Sequence, residues 1–215
     1  EYCYNVTAIN VAGESAPTAD ACATPTEAEQ SEYALYDDFS DGNMDGWRTI
    51  DADGDGLNWK VSQGTGGIMG YNDNSCIYSE SYASGGPVNP DNYIVTTSTF
   101  DITEGSVLTW YVMPSNNYYC ADHYGVVYST DGVTFQTIWE ETLTSTIEYA
   151  PRTVELDYIA DQTVYIGFRH YMCSDNEAVC IDNIALSLGD GSTVDPGEPV
   201  EGEIVIGNGT GSTYN

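Results

Sequence analysis

Val107-Leu108-Thr109-Trp110-Tyr111-Val112 is built almost wholly from β-branched and aromatic residues. Such side chains suit a pleated, half-buried strand better than a helix. Working outward, the same character returns at Tyr93-Ile94-Val95-Thr96-Thr97, Tyr124-Gly125-Val126-Val127-Tyr128 and Thr163-Val164-Tyr165-Ile166-Gly167-Phe168, with Gly, Asn, Asp and Pro clusters between. Ser129-Thr130-Asp131-Gly132-Val133-Thr134-Phe135 carries the Asp-Gly pair of a hairpin turn. No capped helical stretch of ordinary length interrupts the pattern. About ten short strands at this spacing predict an all-β fold, a two-sheet antiparallel β-sandwich of the jelly-roll type.

The chain has 215 residues, 41% of them hydrophobic and 12% aromatic, enough to bury a sizeable core. Acidic residues number 34 against 4 basic, a net charge of -30. No basic patch exists to neutralise phosphates, which excludes nucleic acid and anionic membrane surfaces as partners. Self-repulsion at this charge opposes compaction unless cations condense on the chain, and a divalent metal is the expected one. No apolar run is long enough for a membrane-spanning helix, so no membrane insertion is expected. Six cysteines without CxxC spacing argue against zinc. An even cysteine count in a chain with one lysine reads as an exported, oxidised protein. Six unpaired buried thiols are the alternative.

Two composition shifts divide the chain. We expect a first segment over 1–26, a linker over 27–34, a central domain over 35–188, a Gly/Pro/acidic linker over 189–202 and the start of a further module over 203–215. In the first segment Tyr4-x-Val6-x-Ala8-x-Asn10-x-x-Gly13-x-Ser15 alternates, turns at Gly13 and resumes through Thr24. It resembles the last hairpin of a fibronectin type III domain. Cys3 lies on the opposite face from Tyr4, Val6 and Ala8, which suits a cross-strand bridge to Cys22.

Asp51-Ala52-Asp53-Gly54-Asp55-Gly56 carries side-chain oxygens at alternate positions with glycines that permit a tight curl, the donor set that hard Ca²⁺ takes. It matches the first half of an EF-hand loop and then departs, with Ser62 where a bidentate Glu belongs. Glu80 is the candidate for the missing carboxylate. A second pair, Asp38 near the start of the domain and Asp182 near its end, would clip the termini through a shared cation if the first and last strands are neighbours. The alternative puts Asp182 and Asn183 in solvent on an edge strand.

Asp37-Asp38-Phe39-Ser40-Asp41-Gly42, Gly46-Trp47-Arg48 and the Asp51 loop are followed in order by Tyr78-Ser79-Glu80-Ser81-Tyr82 and Pro90-Asp91-Asn92-Tyr93-Ile94-Val95. Asp122-His123-Tyr124, Phe168-Arg169-His170-Tyr171 and Ile181-Asp182-Asn183-Ile184 complete the series. Together they resemble the cleaved adhesin domain, the MAM-like jelly roll of Bacteroidetes haemagglutinins and gingipain adhesin regions. The resemblance implies a jelly roll, bound Ca²⁺, adhesion to host proteins or cells, and no catalysis in this module. Where the family often has Phe-Glu this chain has Phe39-Ser40, so Asp38 or Asp41 would supply that oxygen. The remaining cysteines lie outside the resemblance: Cys173 and Cys180 flank a short loop that a bridge would staple, which leaves Cys76 and Cys120 to pair by elimination.

His123 and His170 are the only imidazoles, both in aromatic strand sequence where a satisfied, half-buried His is the commoner outcome, and no G-x-S-x-G elbow is present. The expected function is a non-catalytic, Ca²⁺-stabilised adhesion module of a multi-domain secreted or surface protein. Its partners would be host or matrix proteins or glycans, and neighbouring modules. The alternative is a carbohydrate-binding module attached to a secreted hydrolase. Tyr118, Tyr119 and Trp139 are the candidate contact residues in either case, whereas Trp47, Trp59 and Trp110 are expected in the core.

Overall fold

The computed structural model describes residues 2–11, 13–19, 21–23, 33–64, 68–72, 75–144 and 147–189. Most of the linker expected at 27–34, nearly all of that at 189–202, and the module start at 203–215 lie outside the described residues. The strands in chain order are β1 (Tyr2–Tyr4), β2 (Ile9–Asn10), β3 (Gly13–Glu14), β4 (Ala21–Ala23), β5 (Leu35–Asp37), β6 (Trp47–Asp51), β7 (Lys60–Gln63), β8 (Ser75–Glu80) and β9 (Tyr82–Ala83). They continue with β10 (Gly86–Pro87), β11 (Asn92–Thr96), β12 (Phe100–Asp101), β13 (Val107–Pro114), β14 (His123–Ser129), β15 (Gln136–Thr142), β16 (Ala150–Glu155), β17 (Thr163–His170) and β18 (Ala178–Ser187). A 3₁₀ turn at Asp157–Ile159 is the only helical piece among the described residues.

The first segment folds back on itself. β1 pairs with β4, Cys3 opposite Cys22, and β2 pairs with β3. Where the ladder lapses, side-chain hydroxyls take over: the Val6 amide donates to Thr18 Oγ1 and the Ala8 amide to Ser15 Oγ.

Residues 35–187 build two antiparallel six-stranded sheets. One runs β15-β14-β17-β11-β6, with β12 also on β17; the other runs β16-β13-β18-β8-β7, with β5 also on β18. Their inner faces bury Trp59, Trp110, Phe168, Ile94, Ile166 and Ile181 at 2% exposure or less, and Trp47 at 8%. The three tryptophans assigned to the core are therefore in it. The Asp131-Gly132 turn joins β14 to β15 as the motif predicts, with Gly132 at φ +72°.

β18 departs from the edge-strand alternative. It is central, between β13 and β8, and residues 178–182 are buried without alternation. One face meets the main core; the other lies under a satellite cluster of Cys76, Cys180 and Met113, covered by Ile68, Tyr78 and Tyr149. Two covered faces remove the period-2 signal that marks a half-exposed strand. The cluster also corrects the cysteine pairing. Cys76 and Cys180 are neighbours here, Cys120 and Cys173 lie elsewhere, and all four are free thiols.

Two polar devices tie the sheets. Trp110 Nε1 donates to the Tyr124 hydroxyl (3.0 Å), which donates to Glu141 (2.7 Å), which is clamped by Arg152 at 2.7 and 3.1 Å. Burial foremost pushes the Tyr124 hydroxyl pKa upward, so it stays a donor. The second device lies at the same end of β14, where Asp122 precedes the strand and His170 faces Tyr124, and is part of a candidate site.

Candidate metal and binding sites

β6 ends at Asp51 and β7 begins at Lys60, and the loop between them curls on its own carboxylates. Asp51 accepts from the amides of Gly54 (2.7 Å) and Gly56 (2.9 Å), and Asp55 accepts from Leu57 (2.7 Å). Gly54 and Gly56 hold φ of +74° and +83°, the left-handed region that side chains disfavour. Asp51, Asp53 and Asp55 thereby bring one oxygen each within 4.8 Å of the others. Opposite ligands of a Ca²⁺ ion stand about 5 Å apart at most, so the cluster has the right size and the right hard-oxygen donors. A hydrogen bond with Asp53, then the Gly56 amide, hold the Asp51 carboxyl below its ordinary range; burial and Asp51 push Asp53 above it. Two carboxylates this close compete for one positive charge.

The loop is anchored to the next two strands of its sheet. Asp53 accepts from the Asp91 amide (3.1 Å), just before β11, and the Asp91 carboxylate grips Arg169 of β17 at 2.7 and 2.9 Å. Trp59 Nε1 donates to the Asn92 carbonyl (3.0 Å).

The other expected ligands are placed elsewhere. Glu80 pairs with Lys60 at 2.6 Å and is not among the clustered carboxylates; Lys60 lies on β7, which pairs with β8. β5 does pair with β18, Asp37 opposite Ile184, so the first and last strands of the sandwich are neighbours. Asp182 is fully buried and accepts from the amides of Tyr71 (2.6 Å) and Asn183 (2.7 Å). Asp38 takes the Ser40 amide (3.1 Å), and both carboxylates lie close enough to help burial raise the Tyr36 hydroxyl. Asp37 is committed to the Phe39 amide and Trp47 Nε1.

The contact residues divide. Tyr118 and Tyr119 are 86% and 56% exposed, their amides held by Asn116 Oδ1. Tyr119 lines a depression of about 410 Å³ with Tyr82, Asp175, Asn176 and Glu177. Trp139 lies half-buried, edge-on to Trp110 (5.1 Å) and Tyr124 (5.7 Å) and packed against the core. A second depression of about 360 Å³ is lined by Tyr33, Tyr36, Tyr111, Arg152 and Asn183 among others. Asn183 Oδ1 is buried there without a hydrogen-bond partner.

The sequence reading missed a third cluster. Asp122 precedes β14, His170 ends β17 opposite Tyr124, and Cys173 follows in the next loop. Their ligand atoms also lie within 4.8 Å of one another. His170 Nε2 faces Asp122 Oδ1 at 3.1 Å and Cys173 Sγ at 3.1 Å, and Nδ1 faces Ser79 Oγ on the other sheet at 2.9 Å. Asp122, His170, Ser79 and Ser81 are all fully buried, and Ser81 donates to Asp122. A Cys–His–Asp relay needs the carboxylate on the ring nitrogen opposite the thiol. Here carboxylate and thiol share one nitrogen, and burial foremost pushes the thiol up to about 12. The only local signal is His170-x-x-Cys173; Asp122 is distant in sequence.

A family model for the Cleaved Adhesin Domain matches residues 32–186. Lys-gingipain W83 of Porphyromonas gingivalis is 34% identical over 169 residues, which are 71% of this chain and 10% of that protein. Hemagglutinin A of the same species is 32% identical over 201 residues, 84% of this chain and 8% of that protein. The chain thus spans about a tenth of the length of the curated relatives it matches. The crystal structure of the K1 cleaved adhesin domain of Lys-gingipain from P. gingivalis W83 superposes with a TM-score of 0.65 at 35% identity, covering 72% of this chain and 98% of that one. With its two-sheet sandwich matched along almost its whole length, the chain belongs to the Cleaved Adhesin Domain family.

Proposed function

We propose that this chain is a non-catalytic adhesion module, stabilised by Ca²⁺, of a larger bacterial protein exposed at or beyond the cell surface. The observation that carries the reading is the convergence of Asp51, Asp53 and Asp55 at one point of a loop stitched through Asp91 to Arg169. A cation held there would neutralise the carboxylates and fix the loop to β11 and β17. Affinity of the order of Kd ~10⁻⁴–10⁻³ M, as in extracellular modules, would load the site only outside the cell. The Asp38–Asp182 pair is the proposed second clip. The hairpin of β1–β4 would be the end of a fibronectin-type neighbour, with a Cys3–Cys22 bridge across its register pair. Tyr118 and Tyr119, amphipathic and exposed, would meet host or matrix proteins.

Glycan binding, as in a carbohydrate-binding module, is the second reading. It is favoured by the Tyr33–Tyr36–Tyr111 depression with its partnerless Asn183 oxygen. Immobilised matrix proteins and a glycan array, each probed in millimolar Ca²⁺ and in EDTA, separate the two. Adhesion predicts binding to protein that EDTA abolishes and that Tyr118→Ala with Tyr119→Ala weakens at least tenfold. Glycan binding abolished by Tyr111→Ala would replace it with the second reading, and no binding to either would overturn both.

A further inference from the structure

The geometry points to a second metal site of different chemistry: we propose that Asp122, His170 and Cys173 bind one divalent transition metal of the zinc class, with a water in the fourth position. The three ligand types are the oxygen, nitrogen and sulfur donors that zinc accepts, and calcium takes oxygen alone. In a tetrahedral zinc centre with bonds of about 2.0–2.3 Å, neighbouring ligand atoms stand about 3.3–3.8 Å apart. Observed separations are 3.1 Å for Nε2 to Oδ1, 3.1 Å for Nε2 to Sγ and 3.7 Å for Sγ to Oδ1, so a few tenths of an ångström separate the hydrogen-bonded and liganded arrangements.

An independent observation also calls for a ligand. Asp122 is fully buried, yet its Oδ2 has no hydrogen-bond partner. A buried carboxylate with one oxygen left bare costs more than a neutral orphan, and a cation held by its Oδ1 would offset that cost by neutralising the group. The supporting shell is in place. Ser79 holds Nδ1 of His170 and so fixes which ring nitrogen faces the cluster, and Ser81 holds Oδ1 of Asp122. Cys173 is only partly buried and gives the solvent side. Its loop is shaped to hold it: Met172 and Asp175 on either side sit at φ +55° and +58°. Binding exchanges the thiol proton for the metal and releases one H⁺, with no change in oxidation state.

The test uses the full chain, reduced, stripped of metal and kept in millimolar Ca²⁺ so that the oxygen sites are filled. Co²⁺ titration should give a near-ultraviolet thiolate-to-cobalt band that saturates at one equivalent and is displaced by Zn²⁺. Cys173→Ser should abolish the band, Ser79→Ala should weaken binding about 10–100-fold, and Cys120→Ser should leave it unchanged. As a measurement that needs no variant, Zn²⁺ should protect Cys173 of the native chain from alkylation, mapped by mass spectrometry. A folded chain that gives no band, a band that survives Cys173→Ser, or alkylation of Cys173 unaffected by Zn²⁺ would each overturn the site.

Discussion

Aspartate does three different jobs in this chain, and the neighbours of each carboxylate decide which. Asp131 accepts from the amides of Val133 (2.8 Å) and Thr134 (2.7 Å) and from the Ser129 hydroxyl (2.8 Å), which hold its pKa down to about 2. A folded value below the unfolded ~3.9 gives stability that is present at neutral pH and lost as pH falls from about 4 through 2. Asp131→Ala should therefore lower the thermal midpoint at pH 7, and the gap to the native chain should close by pH 2. Midpoints by circular dichroism at pH 7, 4 and 2 check this; a gap that does not change with pH contradicts the assignment. Because Asp131 supports its turn, its loss is no neutral reference for losing Asp53. Only the Ca²⁺ dependence of the two variants separates a ligand from a cap. Asp131 and the Asp51 loop were legible because their partners lie within a few residues. Asp122 was not, since its partners His170 and Ser81 stand 48 and 41 positions away, and nothing local distinguishes it from a solvated aspartate.

At the scale of strands, composition and turns were enough to predict the sandwich, but not which strands are central. Ile181-Asp182-Asn183-Ile184 reads as half-polar, yet it lies mid-sheet, because Asp182 is satisfied by backbone amides and Asn183 sits at φ +47° beside an irregularity between Thr109 and Tyr111. A bulge re-aims side chains that alternation alone would send to solvent. Gly167 makes the limits of pattern reading concrete. In Thr163–Phe168 it reads as a weak point in a strand, but a Cβ there would stand 2.0 Å from the Ile94 carbonyl oxygen of the neighbouring β11. Gly167→Ala should cost more than ~3 kcal/mol or prevent folding, because rigid backbone must move. Gly86→Ala, where nothing lies within 4 Å of the added atom, should stay within ~0.5 kcal/mol. Urea unfolding of both variants checks the contrast, and equal losses would contradict it.

For the molecule as a whole, the governing quantity is a charge of -30 with four cationic side chains, all of them engaged internally. Arg48 donates to the Gly132 carbonyl and lies over Phe135 and Tyr165; Lys60, Arg152 and Arg169 pair with Glu80, Glu141 and Asp91. The protein's own cations pair elsewhere and leave the Asp51–Asp53–Asp55 cluster without a cationic partner, which is the charge that the proposed calcium ion would supply. The clustering of the loop carboxylates could be read from sequence, whereas the pairing of Glu80 with Lys60 needed the β7–β8 register. The direct measurement is the thermal midpoint in EDTA, in 10 mM Ca²⁺ and in KCl of matched ionic strength. With Kd near 10⁻⁴ M, Ca²⁺ should stabilise by ~2.7 kcal/mol and raise the midpoint by about 5–10 °C; KCl should give much less, and Asp53→Asn should lose most of the gain. A midpoint unchanged between EDTA and Ca²⁺, or matched by KCl, would contradict the calcium-stabilised module.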